Sequence, residues 1–289
     1  MPNIKLCAFA DESGTELKTQ IENLRKNNIY AVEMRSCDGI NVSEFTREKA
    51  EEVYKAFSAN DIEVWSLGSP LGKIDIDQPF ETHFEMLKRL TETAHIMHTD
   101  KIRMFSYFVG RGDYENRKEE VAERLNIMCG YAEKNAVKLC HENESEIFGA
   151  TVDNCLYLYD NVPGLYPVYD PANFIMWDES IPYALEKLYG KAYYFHIKDV
   201  IRATKSIVPA GCGDGDIDFM VKNLRRDTTF TLEPHLHVFA GYSSIDKKQL
   251  KNRFTYPDQP SAFEASANAF KKIMSENGYT EGEKGIWKK

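Results

Sequence analysis

The sequence predicts an α/β protein of the (β/α)8 barrel class. Short apolar segments rich in β-branched and aromatic residues alternate with amphipathic helical segments along the whole chain. Eight such pairs fill 289 residues, or about 36 residues per pair, which is typical of this class. The turn after the first strand, DESG at residues 11–14, lacks the GxGxxG pattern that would favour the alternative, a doubly wound open sheet.

The first half of the chain supplies four strand–helix pairs. Leu17, Ile21 and Leu24 recur on one face of the first helix, and Thr46 suits the start of the second. We expect strands at Ile4–Ala10, Tyr30–Arg35, Glu63–Ser69 and Lys101–Phe108, with helices at Glu16–Asn28, Thr46–Asn60, Phe80–His98 and Glu115–Asn135.

The second half supplies four more pairs, and its seventh strand is the most aromatic of them. No linker rich in Pro, Gly or Ser interrupts the series, so we expect a single domain over residues 1–289, with residues 277–289 as a loose tail. The expected strands are Val137–Glu142, Tyr166–Asp170, Ala192–Val200 and Phe230–Glu233, and the expected helices are Thr151–Tyr159, Ser180–Leu188, Phe219–Leu224 and Ala262–Glu276.

Two connections are longer than a barrel requires, Arg202–Asp218 and His237–Pro260. Both follow strands, so both should lie at the carboxyl ends of the strands, where long loops tend to be functional, and the second could cover the barrel mouth. The glycine-rich run at residues 211–215 lacks the Lys-Ser/Thr pair of a phosphate-binding loop. A tight structural loop is therefore favoured there over a nucleotide site.

Composition excludes several classes of protein. A net charge of −9 argues against a nucleic-acid partner, because such binding depends on a basic surface. Six widely spaced cysteines without a CxxC pair favour a reducing cytoplasm. The amino terminus does not resemble a signal peptide, and no apolar stretch approaches the roughly 18 residues that would span a membrane. We expect a cytoplasmic protein that acts on a small molecule.

Four consecutive predicted strands end in residues that can bind a metal, namely Glu142, Asp170, His196 and Glu233. The carboxyl ends of barrel strands meet at one face, so these side chains should converge. Three converging carboxylates repel one another and need a cation or protons. An oxygen-rich site with one nitrogen suits a divalent ion, with Mn²⁺ as the first expectation and Mg²⁺, Co²⁺ or Zn²⁺ as alternatives.

Such a site suits proton transfer beside a sugar carbonyl, with Glu142 and Glu233 as base and acid. Lys198 lies on the same strand face as His196, and both a catalytic contact and a structural ion pair stay open for it. Substrate binding and a solvated or paired role are both open for Lys73 and Arg103. His235 shares a strand face with Glu233, and it could contact either the substrate or this metal ligand. Four aromatic residues could either pack in the core or line a sugar site, namely Trp65, Phe105, Phe108 and Trp177.

These strand ends resemble a known family. The chain is similar to the xylose-isomerase-like TIM-barrel superfamily, in particular its sugar (phosphate) isomerase/epimerase branch, over nearly its whole length. The segments that carry the resemblance are Glu142-Asn143, DPANF at 170–174, HIKD at 196–199, EPH at 233–235, FADE at 9–12, VEMR at 32–35, GSPLGK at 68–73, IRMFS at 102–106 and PAGCGDG at 209–215.

The resemblance implies one divalent metal at the four positions and isomerisation or epimerisation of a sugar or sugar phosphate. In related ketose 3-epimerases two metal-bound glutamates exchange the proton through an enediolate, and Glu142 and Glu233 match them by position. Arg202 matches an arginine that contacts substrate. Asn173, a candidate substrate-binding residue, stands where those epimerases carry a histidine, and Phe148 stands near the place of a further glutamate. These departures are consistent with membership of the family but do not support 3-epimerase activity. Barrels of this type often pair, so a homo-oligomer and a monomer both stay open.

A barrel of this kind is also compatible with three other functions. Endonuclease IV resembles the same barrel but needs additional histidines for a trinuclear zinc cluster, and the third and fourth strands have none. A lyase or dehydratase acting on a keto-inositol or a 3-keto-glycoside would use the same metal and base, and only an isomerase conserves the mass of its substrate. A non-catalytic carbohydrate-binding barrel would be expected to lose a metal ligand, whereas this chain has all four.

Overall fold

The protein is a closed barrel of eight parallel strands, as the sequence predicts. The structure is a computed structural model that describes residues 2–238 and 254–289. Each barrel strand pairs with the next in the chain, and the eighth pairs with the first, so that Ile4 lies opposite Thr228. The barrel strands are β1 Ile4–Ala8, β2 Ala31–Met34, β3 Glu63–Gly68, β4 Lys101–Met104, β5 Lys138–Glu142, β6 Leu165–Tyr169, β7 Tyr194–Ile197 and β8 Thr228–Leu232.

Helices surround the barrel, and some of them begin at a residue whose side chain caps the first turn. Thr46 Oγ1 accepts a hydrogen bond from Lys49 N at the start of the second helix, and Thr151 caps the fifth in the same way. The helices are α1 Leu17–Lys26, α2 Arg47–Ser58, α3 Phe80–Ile96, α4 Tyr114–Lys134, α5 Val152–Asn161, α6 Pro171–Met176, α7 Ile181–Leu188, α8 Ile217–Lys222 and α9 Gln259–Glu276.

Helix α6 is absent from the sequence prediction. It begins directly after β6, because the Asp170 carboxylate accepts a hydrogen bond from Asn173 N at 3.0 Å and Pro171 occupies the first helical position. The helix turns the chain at the carboxyl end of β6 and keeps Asp170 buried. It therefore fixes one of the predicted metal ligands.

Strand β4 ends earlier than predicted, at Met104 instead of Phe108. The next residues leave the barrel and bond to the loop after β3, with Phe105 N donating to Leu71 O and Tyr107 N to Gly72 O. Gly72 has φ +82°, and a Cβ there would lie 2.0 Å from Phe105 O, so this contact requires glycine. The loops after β3 and β4 thus form one wall at the carboxyl face of the barrel.

The carboxyl-terminal residues are packed on the barrel instead of forming the expected loose tail. Residues 280–281 and 286–288 make a hairpin, and its second strand pairs antiparallel with β1, with Trp287 opposite Ile4. Trp287 is buried. The hairpin covers the edge of β1 at the amino-terminal end of the barrel, where β1 and β2 are not paired.

Two further expectations concern the membrane and the second long loop. In the two described ranges, no helix is long and apolar enough to cross a membrane. The loop His237–Pro260 lies mostly outside those ranges, since residues 239–253 are not described, and the expectation that it covers the barrel mouth stays a prediction.

Candidate metal centre

The four predicted ligand residues converge at the carboxyl end of the barrel. Glu142 ends β5, Asp170 follows β6, His196 lies in β7 and Glu233 follows β8. One ligand atom from each lies within 4.8 Å of the other three, and all four residues are buried. His196 Nδ1 is 3.1 Å from Glu142 Oε1 and 3.4 Å from Glu233 Oε2. We call this set the four-residue cluster.

The imidazole of His196 is oriented by a carboxylate on its other side. His196 Nε2 lies 3.2 Å from Glu33 Oε2, and the hydroxyl of Tyr194 donates to Glu33 Oε1 at 2.8 Å. Because Glu33 engages Nε2, Nδ1 faces the carboxylates, and it has no hydrogen-bond partner among the described residues. A metal-binding histidine usually has such an outer partner. The sequence analysis assigned Glu33 no role at this site, and the available signal was a carboxylate within the apolar strand β2.

Replacing Glu33 by Gln is expected to weaken divalent-metal binding by about 10- to 100-fold, the usual effect of losing the outer partner of a ligating histidine. Isothermal titration with Mn²⁺ measures this affinity. Glu63→Gln is a matched control, because Glu63 lies on β3 and pairs with Lys5 away from the cluster. Unchanged affinity in a folded Glu33→Gln protein would contradict the role given to Glu33.

Lys198 places an ammonium group inside the four-residue cluster. Its Nζ lies 3.0 Å from Asp170 Oδ2 and 3.2 Å from Glu233 Oε2, and the residue is buried. Burial alone would lower the pKa of Lys198, but the carboxylates of Asp170 and Glu233 outweigh it and raise that pKa well above its usual value. Lys198 therefore stays protonated and stabilises two of the carboxylates.

The acids of the cluster are held in different states. Burial raises the pKa of Asp170 to about 7, although Lys198 opposes the shift. Burial also acts to raise the pKa of Glu233, but Lys198 and His196 outweigh it, so that this pKa falls well below its usual value. Burial acts to lower the pKa of His196, whereas Glu142 and Glu33 raise it well above the usual value. Crowded carboxylates of this kind are suited to binding a cation.

Arg35 fixes the Glu233 carboxylate from outside the cluster. Its Nη1 donates to Glu233 Oε1 at 3.0 Å, while Nε and Nη2 bind the two Asp11 oxygens at 2.8 and 2.9 Å. Nη2 also donates to Glu12 Oε1 at 3.2 Å. Burial raises the pKa of Glu12 to about 8, although Arg35 opposes the shift. Arg35 thus leaves Glu233 Oε2 turned toward His196 and Lys198.

Asn173 and Arg103 hold the other glutamate. Asn173 Nδ2 donates to Glu142 Oε1 at 3.0 Å and to Asn143 O at 2.9 Å. Arg103 Nε lies 3.4 Å from Glu142 Oε2. The structure therefore brings both predicted substrate-binding residues to the cluster, where they orient Glu142.

The remaining predicted substrate-binding residues divide into near and distant ones. His235 donates its backbone N–H to Glu12 Oε2 at 2.7 Å, and its Nε2 lies 3.7 Å from Glu233 Oε1. Lys73 pairs with Glu144 at 3.1 Å. Arg202 Nη2 instead donates to Glu179 O at 2.6 Å, and no contact described for Arg202 joins it to the four-residue cluster.

The glycine-rich loop encloses a carboxylate of the protein itself. Asp199 accepts backbone hydrogen bonds from Gly211, Gly213 and Gly215 at 2.8 to 3.0 Å. A Cβ on Gly213 would lie 2.3 Å from Asp199 Oδ1, which requires glycine at this close approach. Because Asp199 fills the amide-lined concavity, the loop is structural, as the missing Lys-Ser/Thr pair predicts.

The substitution Gly213→Ala is therefore expected to destabilise the protein by about 1–3 kcal/mol, the usual cost of overpacking a buried site. Urea denaturation measures the change. Gly112→Ala is the control, since a Cβ there meets nothing within 4 Å among the described residues. Equal stability of both variants would show that the loop adapts without cost.

The fold and the site together define a class of protein. Its members are parallel eight-stranded barrels with a buried cluster of three carboxylates and one imidazole at the carboxyl end of the strands. The model of the xylose isomerase-like TIM barrel family matches residues 21–244. The chain belongs to that family, as the strand-end motifs predicted. A search of curated proteins finds no match for the sequence.

Solved structures with the same fold include proteins named for different reactions. The probable 3-DHS dehydratase AsbF from Bacillus anthracis is 16% identical, with a TM-score of 0.71 over 94% of this chain and 99% of that one. The IOLI protein with a bound zinc atom is 17% identical, with a TM-score of 0.72 over 94% and 98%. D-Psicose 3-epimerase with D-tagatose, from Clostridium cellulolyticum H10, is 14% identical, with a TM-score of 0.72 over 93% and 99%. At these identities the likeness concerns the fold.

Proposed function

We propose that this protein is a metal-dependent isomerase or epimerase of a sugar or sugar phosphate, acting by proton abstraction next to a carbonyl. The observation that carries the proposal is the approach of two carboxylates, Glu142 and Glu233, to the same imidazole nitrogen, His196 Nδ1. Two carboxylates beside one position can remove a proton and return it.

The residues present fit a divalent ion. Three buried carboxylates and an imidazole nitrogen without a hydrogen-bond partner among the described residues form a donor set suited to Mn²⁺, Mg²⁺, Co²⁺ or Zn²⁺. Glu142, Asp170, His196 and Glu233 would hold the ion. When bound, it polarises the substrate carbonyl and acidifies the adjacent C–H bond.

The side chains of the cluster then have distinct tasks. One glutamate removes the proton from the carbon next to the carbonyl, which gives an enediolate, and a glutamate returns a proton to form the product. Epimerisation uses both glutamates on opposite faces of one carbon. The ammonium of Lys198, which stays protonated, stabilises negative charge that develops on the substrate oxygen. Arg35 and Asn173 keep the two glutamates in place.

A lyase or dehydratase is the second candidate, and the likeness to a probable 3-DHS dehydratase favours keeping it. Removal of the same proton followed by loss of a hydroxyl or an alkoxide leaving group would use the same cluster. A keto-inositol or a 3-keto-glycoside would be the substrate. Mass spectrometry of the product decides between the candidates, because isomerisation conserves mass and elimination does not.

Metal analysis, combined with exchange of solvent deuterium into the substrate, tests the proposal. Wild-type protein should bind about one divalent ion per chain, and His196→Ala should lose it. In D₂O, the metal-loaded protein should incorporate deuterium next to the carbonyl of at least one member of a panel of ketoses, ketose phosphates and keto-glycosides. Equal metal content in both proteins would overturn the metal site, and bound metal without exchange would favour the non-catalytic carbohydrate-binding barrel.

Metal binding should also depend on pH. Burial raises the pKa of the Asp170 carboxyl to about 7, so below that pH the carboxyl must lose a proton before it can bind a cation. The affinity for Mn²⁺ should therefore fall at least about tenfold from pH 8 to pH 6, since His196, whose pKa is raised well above its usual value, must lose its proton as well. Titration calorimetry in buffers of different ionisation enthalpy measures the affinity and the proton released. Constant affinity with no proton release would contradict this assignment.

A further inference from the structure

A cavity lies on the same face of the barrel as the four-residue cluster. Its volume is about 550 Å³, and its walls include the loops after β3, β4 and β5 together with Trp177, which follows α6. Backbone hydrogen bonds join these loops, with Phe108 N donating to Ile74 O at 2.9 Å and Val109 N to Glu146 O at 3.3 Å. We call it the rim cavity. Loops that are hydrogen-bonded to one another therefore form its walls.

The lining combines aromatic faces with hydrogen-bonding groups. Phe108 and Trp177 supply the aromatic rings, and Asp75 and Glu146 supply carboxylates. The Arg111 guanidinium stacks on Trp177 with its carbon 3.9 Å from the ring centroid, and Nη2 donates to Trp177 O at 3.0 Å. Aromatic walls with a few placed polar groups are typical of small-molecule sites of this size. A saccharide ring matches them, since it has apolar C–H faces and a rim of hydroxyls.

One ion pair links the rim cavity to the four-residue cluster. Lys73 precedes Ile74, Glu144 lies two residues before Glu146, and Lys73 Nζ is 3.1 Å from Glu144 Oε2. Lys73 Nζ also lies 4.4 Å from the centroid of the Phe105 ring, and the Arg103 guanidinium carbon lies 4.5 Å from the same centroid. Arg103 Nε in turn lies 3.4 Å from Glu142 Oε2, inside the cluster. A ligand long enough to pass this pair would contact both sites.

We propose that the rim cavity is a second subsite that binds the non-reacting ring of a glycoside whose keto-bearing ring lies at the four-residue cluster. The assignment rests on the proposed function for the reacting ring, whereas the saccharide affinity of the cavity can be measured separately. The substrate would then be a disaccharide-sized glycoside and not a free monosaccharide. Phe108 and Trp177, for which the sequence left core packing and a sugar site open, line this subsite.

Binding of disaccharides tests the subsite without any turnover. Cellobiose, maltose and trehalose are titrated into the wild-type protein by calorimetry, with glucose as the single-ring comparison. At least one disaccharide should bind tenfold or more tightly than glucose, and Trp177→Ala should lower that affinity at least tenfold. Trp65→Phe is the control, because Trp65 lies on β3 beneath the Lys101 ammonium, 4.0 Å from the ring centroid, and outside the rim cavity. It should change the affinity less than twofold.

A second variant and a second measurement separate the outcomes. Asp75→Asn removes a lining charge at an exposed position and should lower disaccharide affinity at least threefold. The bound metal is quantified in each variant, so that a change in metal content is not mistaken for loss of the subsite. Absence of disaccharide binding, or unchanged binding in both rim variants, would overturn the subsite even if deuterium exchange establishes the enzyme. Disaccharide binding without exchange on any substrate would retain the subsite and reject the proposed function.

Discussion

Replacing Glu142 or Glu233 by Gln is expected to slow deuterium exchange into the substrate by about 10²- to 10⁴-fold, the usual contribution of a positioned general base. Each glutamate approaches His196 Nδ1, at 3.1 Å for Glu142 and 3.4 Å for Glu233. Glutamine keeps the shape of the side chain but cannot accept the proton. The loss should be large for both residues if they serve opposite faces of one carbon.

The measurement must separate loss of the base from loss of the metal, because both glutamates are proposed ligands. Exchange is therefore followed at saturating Mn²⁺ with the bound metal quantified in each sample. Glu144→Gln is a matched control, since Glu144 lies at the same barrel face but pairs with Lys73 outside the four-residue cluster. The rate of deuterium exchange in Glu144→Gln should fall less than tenfold. Full exchange in either cluster variant with metal bound would remove that glutamate from the chemistry.

The four-residue cluster could be predicted because it depends on local sequence and on one general property of the fold. Each of the four residues lies at or just beyond a strand end, and parallel strands in a closed barrel bring those ends together. Recognising eight strand–helix pairs was therefore sufficient to place Glu142, Asp170, His196 and Glu233 near one another. No precise contact had to be known.

The groups that orient the cluster could not be predicted in the same way, because their contacts cross the barrel. Arg35 on the β2 side joins Asp11, 24 residues away, to Glu233, 198 residues away. Glu33 reaches His196 across 163 residues. In the sequence these are only charged residues within or beside an apolar strand, and a buried ion pair would have the same pattern. Partner identity depends on side-chain directions inside the closed barrel.

The position of Lys198 shows how local and long-range information combine. Its spacing from His196 indicated the correct face, and the sequence left both an ion pair and a catalytic contact open. The structure supplies the ion pairs, with Asp170 and Glu233 both close to the ammonium. A buried cation between two carboxylates lowers their repulsion in the absence of a metal. Its removal should therefore affect stability before it affects chemistry.

Lys198→Met is accordingly expected to lower the free energy of unfolding of the metal-free protein by about 3–5 kcal/mol, the usual cost of removing one partner from a buried ion pair. Methionine preserves most of the packing of the lysine stem, so the loss reports the charge. Urea denaturation in the presence of a chelator measures it. Lys187→Met, which removes an ammonium paired with Glu186 on the surface of α7, should change stability by less than about 0.5 kcal/mol.

Adding Mn²⁺ should raise the melting temperature of Lys198→Met more than that of the wild-type protein, because a bound cation compensates the same carboxylates that lost the ammonium. The two proteins should then differ less with metal than without it. Equal stability of both proteins in chelator would mean that Asp170 or Glu233 takes up a proton when Lys198 is absent. If that equally stable variant also loses deuterium exchange, then Lys198 stabilises charge on the substrate and does not stabilise the cluster.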